Sequence, residues 1–314
     1  MEGKLNKIER PRVALENVKT PEDFLNAIDF QTLNEIFTKL AQKSGKDNPV
    51  WIDKSIIQID TEIGNSGENG RTPGKTINGE VILYWESILQ AEIPFPFEAA
   101  HVLIHELVHI TARQMSVIDR GVSEDIRDLG VLVSNGLFET VTPLGENEDK
   151  GTAFAYYLNE AVTEQIAGEV MSEYLRRTGN GALFRTVNNG KDDAYDVERI
   201  FLDAVIDSLA ERLEVSRDTV WRGFVQMYLN GSQSTQNLVL KISEELGGDK
   251  DGRKVLQLFK RLSGTIKKEE TLTMAKHDEM LDDLQRNISY LKDSALRVVN
   301  RFSPEQLHDS LGLK

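Results

Sequence analysis

The chain has 314 residues, which favours about two domains, and it carries a formal net charge of −14 at pH 7. It contains no cysteine, which excludes disulfide scaffolds, cysteine-ligated zinc, iron–sulfur clusters and thiol nucleophiles. The acidic balance disfavours phosphate backbones and anionic lipid, so neither nucleic acid nor a membrane surface is expected as a partner.

The N-terminal residues are polar and lack the apolar core of a signal peptide, and no later stretch is long enough to span a bilayer. A cytoplasmic location is therefore expected. From Thr20 one helix is predicted to run to about Ser44, with Thr20 as its cap and Pro21 in its first turn. These elements form a predicted helical lead-in over residues 1–48.

Two strands and a further helix are predicted after this helical lead-in. Residues 55–59 and the β-branched and aromatic segment Val81–Trp85 are predicted strands, and the glycine-rich segment 64–79 between them is a predicted loop. An apolar helix is predicted over about 97–115. The pair Asn135-Gly136 between two apolar runs predicts a hairpin.

A second long helix is predicted from Gly151 to Gly179, because a glycine just past the last turn is a common helix end. From about residue 195 to the end the periodicity is helical throughout. The pattern therefore predicts an α+β chain that becomes mostly helical towards its C-terminus.

The segment His105-Glu106-Leu107-Val108-His109 carries the clearest chemical signal. Histidines four residues apart lie one turn apart on one face of a helix, where their nitrogens can bind a single zinc ion. Glu106 lies on the neighbouring side of the same turn and can take the proton of a water on the metal. We therefore predict His105 and His109 as zinc ligands and Glu106 as the general base. His101, one turn earlier, is expected to start the helix or to support a ligand.

Zinc also needs a third protein ligand, and no third histidine follows His109 at the metzincin spacing. Glu160 and Glu164 lie four residues apart in a largely apolar helical segment, where inward-facing carboxylates need a cation or a donor. Glu160 is the predicted third ligand, and Glu164 is predicted to accept the ring N–H of a ligating histidine. The alternative is that both glutamates belong to the solvent-exposed face of an ordinary amphipathic helix.

His105-Glu106-x-x-His109 followed by Asn159-Glu160-x-x-x-Glu164 resembles the gluzincins, the thermolysin-like zinc metallopeptidases, in which HExxH precedes a helix carrying NExxxD. The resemblance covers about residues 81–177. It implies a zincin-like catalytic domain with a small mixed sheet, over 49–180. The helical periodicity that follows predicts a mostly helical C-terminal domain over 181–314. Mapped onto this chain, it makes His105, His109 and Glu160 the zinc ligands and Glu106 the base. Glu164 stands where the family has an aspartate, which is a mild departure.

The implied activity is that of a metalloprotease, a hydrolase that cleaves peptide bonds in a protein or peptide substrate by Glu-assisted attack of a zinc-bound water. The family also implies a strand at the sheet edge that pairs with extended substrate, and Val81–Trp85 is the candidate. A tyrosine or histidine that stabilises the oxyanion is implied as well. Tyr156, Tyr157 and His277 are all candidates for that role.

Two other functions stay open. Residues 209–225 look like a DNA-binding helix-turn-helix, with Glu214 where a glycine usually makes the turn, and some bacterial regulators join HExxH to such a motif. A plain helical turn is favoured, because Trp221, Phe224 and Tyr228 form an apolar stripe typical of a buried helix. The second of these functions is that of a catalytically silent zincin, in which zinc only joins two helices.

Overall fold

The computed structural model describes residues 15, 18–45, 51–61, 73–77, 79–89, 95–114, 133–135, 138–140, 150–180, 196–230, 241–242, 254–255, 258 and 274–311. Its helices are α1 (Pro21–Ala27), α2 (Phe30–Lys43), α3 (Trp85–Leu89), α4 (Phe95–Ala112), α5 (Lys150–Thr178), α6 (Asp196–Leu213), α7 (Arg217–Asn230), α8 (Met274–Val299) and α9 (Pro304–Leu311). Its strands are β1 (Ile57–Asp60), β2 (Gly74–Ile77), β3 (Glu80–Tyr84), β4 (Arg113–Gln114), β5 (Val133–Asn135) and β6 (Phe138–Thr140). The described part of the chain is thus mostly helical with small sheets, which places it in the broad α+β class.

The N-terminal segment forms two helices where one was predicted. Thr20 caps α1 as predicted, but the chain leaves the helical conformation at Ile28 and Asp29 caps a new helix, α2. The backbone N–H of Asp29 donates to the hydroxyl of Tyr174 on α5 at 2.9 Å. The cap and this tertiary hydrogen bond both favour the break, and α2 ends before Ser44 as predicted.

The first sheet has the strand order β1–β3–β2, with β3 parallel to β1 and antiparallel to β2. The prediction that Val81–Trp85 forms an edge strand is wrong, because β3 is paired on both sides and Trp85 already begins α3. The prediction of a loop throughout 64–79 is wrong as well, because β2 lies within it. Gly79 has a φ of +84°, which permits the tight turn from β2 into β3.

The second sheet follows α4 directly. Its order is β4–β5–β6, and both pairs are antiparallel. β5 ends at Asn135, β6 begins at Phe138, and these two residues pair, so the predicted hairpin is confirmed.

Helix α4 packs against both α5 and the β2–β3 hairpin, so it lies at the centre of the described fold. Helix α5 ends before Gly179, as predicted, where a φ of +83° lets the next N–H bond the carbonyl of Leu175 at 2.8 Å. One continuous hydrophobic core includes Phe24 of α1, Leu103 of α4 and Phe201 of α6. The N-terminal helices and α6 are therefore packed around the same core as the central helices.

Helices α6 and α7 are joined by a tight turn at Glu214, which has a φ of +53°. The N–H of Val215 bonds the carbonyl of Ala210 at 3.1 Å, the hydrogen bond that usually accompanies a glycine at this position. The predicted apolar stripe of α7 is confirmed, since Trp221, Phe224 and Tyr228 are all buried. None of the described helices is both long and apolar enough to cross a membrane.

Candidate metal centre

Helix α4 carries three histidines one turn apart on the face towards α5. The helix is strongly apolar, and Leu103, Leu107 and Val108 around them are fully buried. The side chains of His105 and His109 are 11% and 14% exposed, so both imidazoles lie almost entirely inside the protein. Polar rings in such a position need polar partners.

Glu160 on α5 meets both of these histidines. Its Oε2 lies 3.3 Å from Nε2 of His105 and 3.5 Å from Nε2 of His109. The two nitrogens and a carboxylate oxygen all lie within 4.8 Å of one another. Ligand atoms on a tetrahedral ion at zinc bond lengths are about 3.3–3.5 Å apart, and both distances from Glu160 match that separation. These three residues could therefore hold a metal ion.

Glu164 lies one turn further along α5 and binds two histidines at once. Its Oε2 lies 2.8 Å from Nδ1 of His105, and its Oε1 lies 2.6 Å from Nε2 of His101. Because an ionised carboxylate only accepts, Nδ1 of His105 is the donor, which leaves Nε2, on the side of Glu160, as the nitrogen that can bind a metal ion. Glu160 and Glu164 are both buried, so the solvent-exposed alternative does not hold. His101 lies well inside α4 and supports Glu164 rather than starting the helix.

Charge balance in the cluster follows from these contacts. Burial by itself lowers the pKa of His105, but the hydrogen bonds and charges of Glu160 and Glu164 outweigh it and raise that pKa well above its usual value. Burial by itself raises the pKa of each glutamate, but the neighbouring histidines outweigh it and hold both pKa values well below the usual range. Two ionised carboxylates therefore share the cluster, and a divalent cation can replace the proton that His105 otherwise carries.

Glu106 is held from the opposite side by strand β2. The hydroxyl of Thr76 donates to Oε2 of Glu106 at 2.7 Å. Gly74 passes so close to α4 that a Cβ there would lie 2.7 Å from Cγ1 of Val102 and 3.2 Å from Oε1 of Glu106. Neither Thr76 nor Gly74 was predicted as a site residue, because their segment was predicted to be a loop. The pair Asn78-Gly79, a strong hairpin signal, could have revealed the strand.

Helix α7 reaches the same cluster. The hydroxyl of Tyr228 lies 3.2 Å from Nδ1 of His109 and 2.6 Å from Oγ1 of Thr163. Burial, together with the charges of Glu160 and Glu106, raises the pKa of Tyr228 far above its usual value, so the phenol stays neutral. Tyr228 was predicted only as part of a buried stripe. No local signal connects it to a histidine 119 residues away.

The candidates for an oxyanion-stabilising residue lie beyond what the structure describes. Tyr156 and Tyr157 belong to α5 and His277 belongs to α8, but all three side chains fall outside the described residues. That prediction therefore stays a prediction.

The arginines of α7 are engaged with acidic neighbours. Arg217 forms ion pairs with Asp203 and Asp207 of α6, and Arg222 pairs with Asp218 on its own helix. Together with the burial of its aromatic face, this favours the plain helical turn over a DNA-reading helix.

No protein-family model matches the chain, and no curated protein or solved structure matches it at a significant level. The resemblance to the gluzincins therefore rests on the HExxH and NExxxE residues themselves.

Proposed function

We propose that the protein is a zinc-dependent metallopeptidase of the gluzincin type. The single observation that carries the proposal is the convergence of His105, His109 and Glu160, whose carboxylate oxygen lies 3.3 Å and 3.5 Å from the Nε2 atoms of the two histidines. Two neutral imidazoles and one carboxylate form the ligand set of zinc hydrolases that keep a fourth position open for chemistry.

These three residues would hold the ion, and Glu164 would fix the orientation of His105. Zinc bound there supplies a Lewis acid that acidifies a water and polarises a carbonyl. The donor set contains no thiolate, and a mixed nitrogen and oxygen set of this kind suits zinc better than calcium or magnesium.

Glu106 has the position of a general base. It follows His105 directly, so it lies on the same helical turn as the ligands but faces β2. The hydrogen bond from Thr76 occupies Oε2, and Oε1 is the atom that can accept a proton from water and return it to the leaving amine. Thr76 thus keeps the carboxylate in one orientation before substrate arrives.

Strand β2 also suggests the class of substrate. Among the described strands it pairs only with β3, so its other edge can add an extended peptide as a further strand. Because Thr76 on β2 contacts Glu106, such a peptide would lie beside the base. The substrate-binding role that the sequence analysis gave to Val81–Trp85 is therefore proposed for β2.

The test is zinc content by mass spectrometry together with digestion of a peptide library, on the wild type and three variants. Glu160→Ala should lose the metal, whereas Glu106→Gln should keep it and lose turnover by at least about a hundredfold. Glu173→Gln is the matched control, because Glu173 lies on the same helix and pairs with Arg176 and Arg177 instead.

Each failure has its own meaning. A wild type that binds no zinc would remove the metal site and the peptidase with it. A wild type that binds zinc in a Glu160-dependent way but cleaves no member of the library would favour the silent zincin, in which zinc only joins α4 and α5.

A further inference from the structure

We propose that Tyr228 of α7 is a positioning residue for the metal ligand His109, and that it acts through a chain of hydroxyl groups ending on α5. The inference rests on the proposed function, because it takes the cluster to be a metal site. It adds a residue from the C-terminal helices to a centre that the sequence motifs confine to α4 and α5.

The direction of each hydrogen bond follows from the chemistry of the groups. Oγ1 of Thr163 lies 2.9 Å from the carbonyl oxygen of Asn159, which can only accept, so the single hydroxyl proton of Thr163 points there. The contact of 2.6 Å between Thr163 and Tyr228 must then be donated by the phenol. With its proton used, the oxygen of Tyr228 accepts, so Nδ1 of His109, at 3.2 Å, is the donor.

This chain of hydroxyl groups selects one tautomer of His109. A neutral imidazole that carries its proton on Nδ1 presents a lone pair at Nε2, and that is the nitrogen beside Glu160. Glu164 selects the same tautomer for His105. In their neutral forms both ligating rings therefore present Nε2 to the metal position, one held by a carboxylate and one by a phenol.

The hydroxyl chain can control the His109 ring because its members are buried. Tyr228 and Thr163 are completely buried, so water cannot replace a hydroxyl that is removed. Without the phenol oxygen, Nδ1 of His109 would lose its acceptor, and the ring would be free to rotate or to change tautomer. Partners of this kind around metal ligands change metal affinity by about 10- to 100-fold.

The experiment measures the affinity of the full-length, metal-free protein for Zn²⁺ alone, by competition with a chromophoric chelator. Tyr228→Phe keeps the ring in the core and removes only the hydroxyl, and should weaken zinc binding about 10- to 100-fold. Tyr174→Phe is the matched control, because Tyr174 is equally buried but bonds the backbone of Asp29. The midpoint temperature of thermal unfolding of the metal-free protein should fall in both variants, whereas zinc affinity should fall only in Tyr228→Phe.

A second pair of variants tests the chain of hydroxyl groups and leaves Tyr228 unchanged. Thr163→Val removes the acceptor of the phenol proton and should weaken zinc binding in the same direction, and Thr163→Ser should restore it. The absorption spectrum of bound Co²⁺ should change in Tyr228→Phe and Thr163→Val alone, because it reports the geometry of the ligands.

The outcomes separate the two claims. If the wild type binds zinc and Tyr228→Phe binds it equally tightly, the positioning role is overturned while the metal site stands. If Thr163→Ser binds as weakly as Thr163→Val, the hydroxyl chain is overturned. If the wild type binds no zinc, the proposed function fails and the inference fails with it.

Discussion

The close approach of β2 to α4 makes Gly74 a sensitive position. A Cβ at residue 74 would lie 2.7 Å from Cγ1 of Val102, whereas carbon atoms pack at about 3.5–4.0 Å. About 1 Å of movement is therefore needed to admit one methyl group. Val102 cannot supply it cheaply, because a β-branched side chain in a helix has one strongly preferred rotamer.

The substitution Gly74→Ala should therefore move the strand or the helix. Overpacking of this kind costs about 1–3 kcal/mol in the free energy of unfolding. The same Cβ would lie 3.2 Å from both Cγ and Oε1 of Glu106, so the proposed base should shift by a few tenths of an ångström. Since a misplacement of about 1 Å can reduce a rate about a hundredfold, we expect kcat to fall about tenfold or more.

Urea denaturation measures the loss of stability, and peptide turnover measures the fall in kcat. Zinc content should stay unchanged, because Glu106 is not a proposed ligand. Gly168→Ala is the matched control. A Cβ there meets no atom within 4 Å, and alanine in the interior of α5 should stabilise the protein by up to about 1 kcal/mol. A Gly74→Ala protein as stable as the wild type would refute the close approach itself, whatever its activity.

Three further changes have defined outcomes. Thr76→Val should lower kcat about tenfold at unchanged zinc content, since a hydrogen bond to a charged carboxylate is worth about 1.5–3 kcal/mol, and Thr76→Ser should restore the rate. Glu214→Gly should raise the free energy of unfolding by about 1 kcal/mol in urea, because glycine adopts a φ of +53° without strain, and an unchanged midpoint would contradict this geometry. In the metal-free protein the raised pKa of His105 and the lowered pKa values of Glu160 and Glu164 should make stability to urea highest between about pH 4.5 and 6.5. This stabilisation should be lost on the acid side as the carboxylates become protonated and on the alkaline side as the imidazolium loses its proton. A free energy of unfolding that rises steadily up to pH 8 would contradict the prediction.

The residues of the cluster could be predicted from the sequence because helical spacing is local information. Two histidines four residues apart must share a face of α4, and the same holds for Glu160 and Glu164 on α5. The apolar neighbours of each pair then indicate that both faces turn inward. What spacing could not supply is the partner that each group meets, such as the contact of His101 with Glu164 at 2.6 Å.

The missed elements depend on tertiary structure or on short strands. Strand β2 has four residues, of which Gly74 and Lys75 are poor strand formers, and its pairing with β3 overrides that preference. The break at Ile28 in the predicted N-terminal helix is likewise favoured by a hydrogen bond to Tyr174, far away in sequence, together with the local cap at Asp29. Tyr228 reaches His109 only because α6 and α7 fold back over the centre of the molecule.

The surroundings of Glu106 bear on the choice between the proposed peptidase and the silent zincin. A zinc ion that merely joined two helices would need His105, His109 and Glu160, with Glu164 in support, and would gain nothing from a further carboxylate beside the ligands. Yet Glu106 is buried, accepts a hydrogen bond from the hydroxyl of Thr76 and faces a strand whose glycine leaves room for it. Burying a carboxylate without using it as a ligand is costly. The presence of a held, non-ligating carboxylate therefore favours the peptidase over the silent zincin.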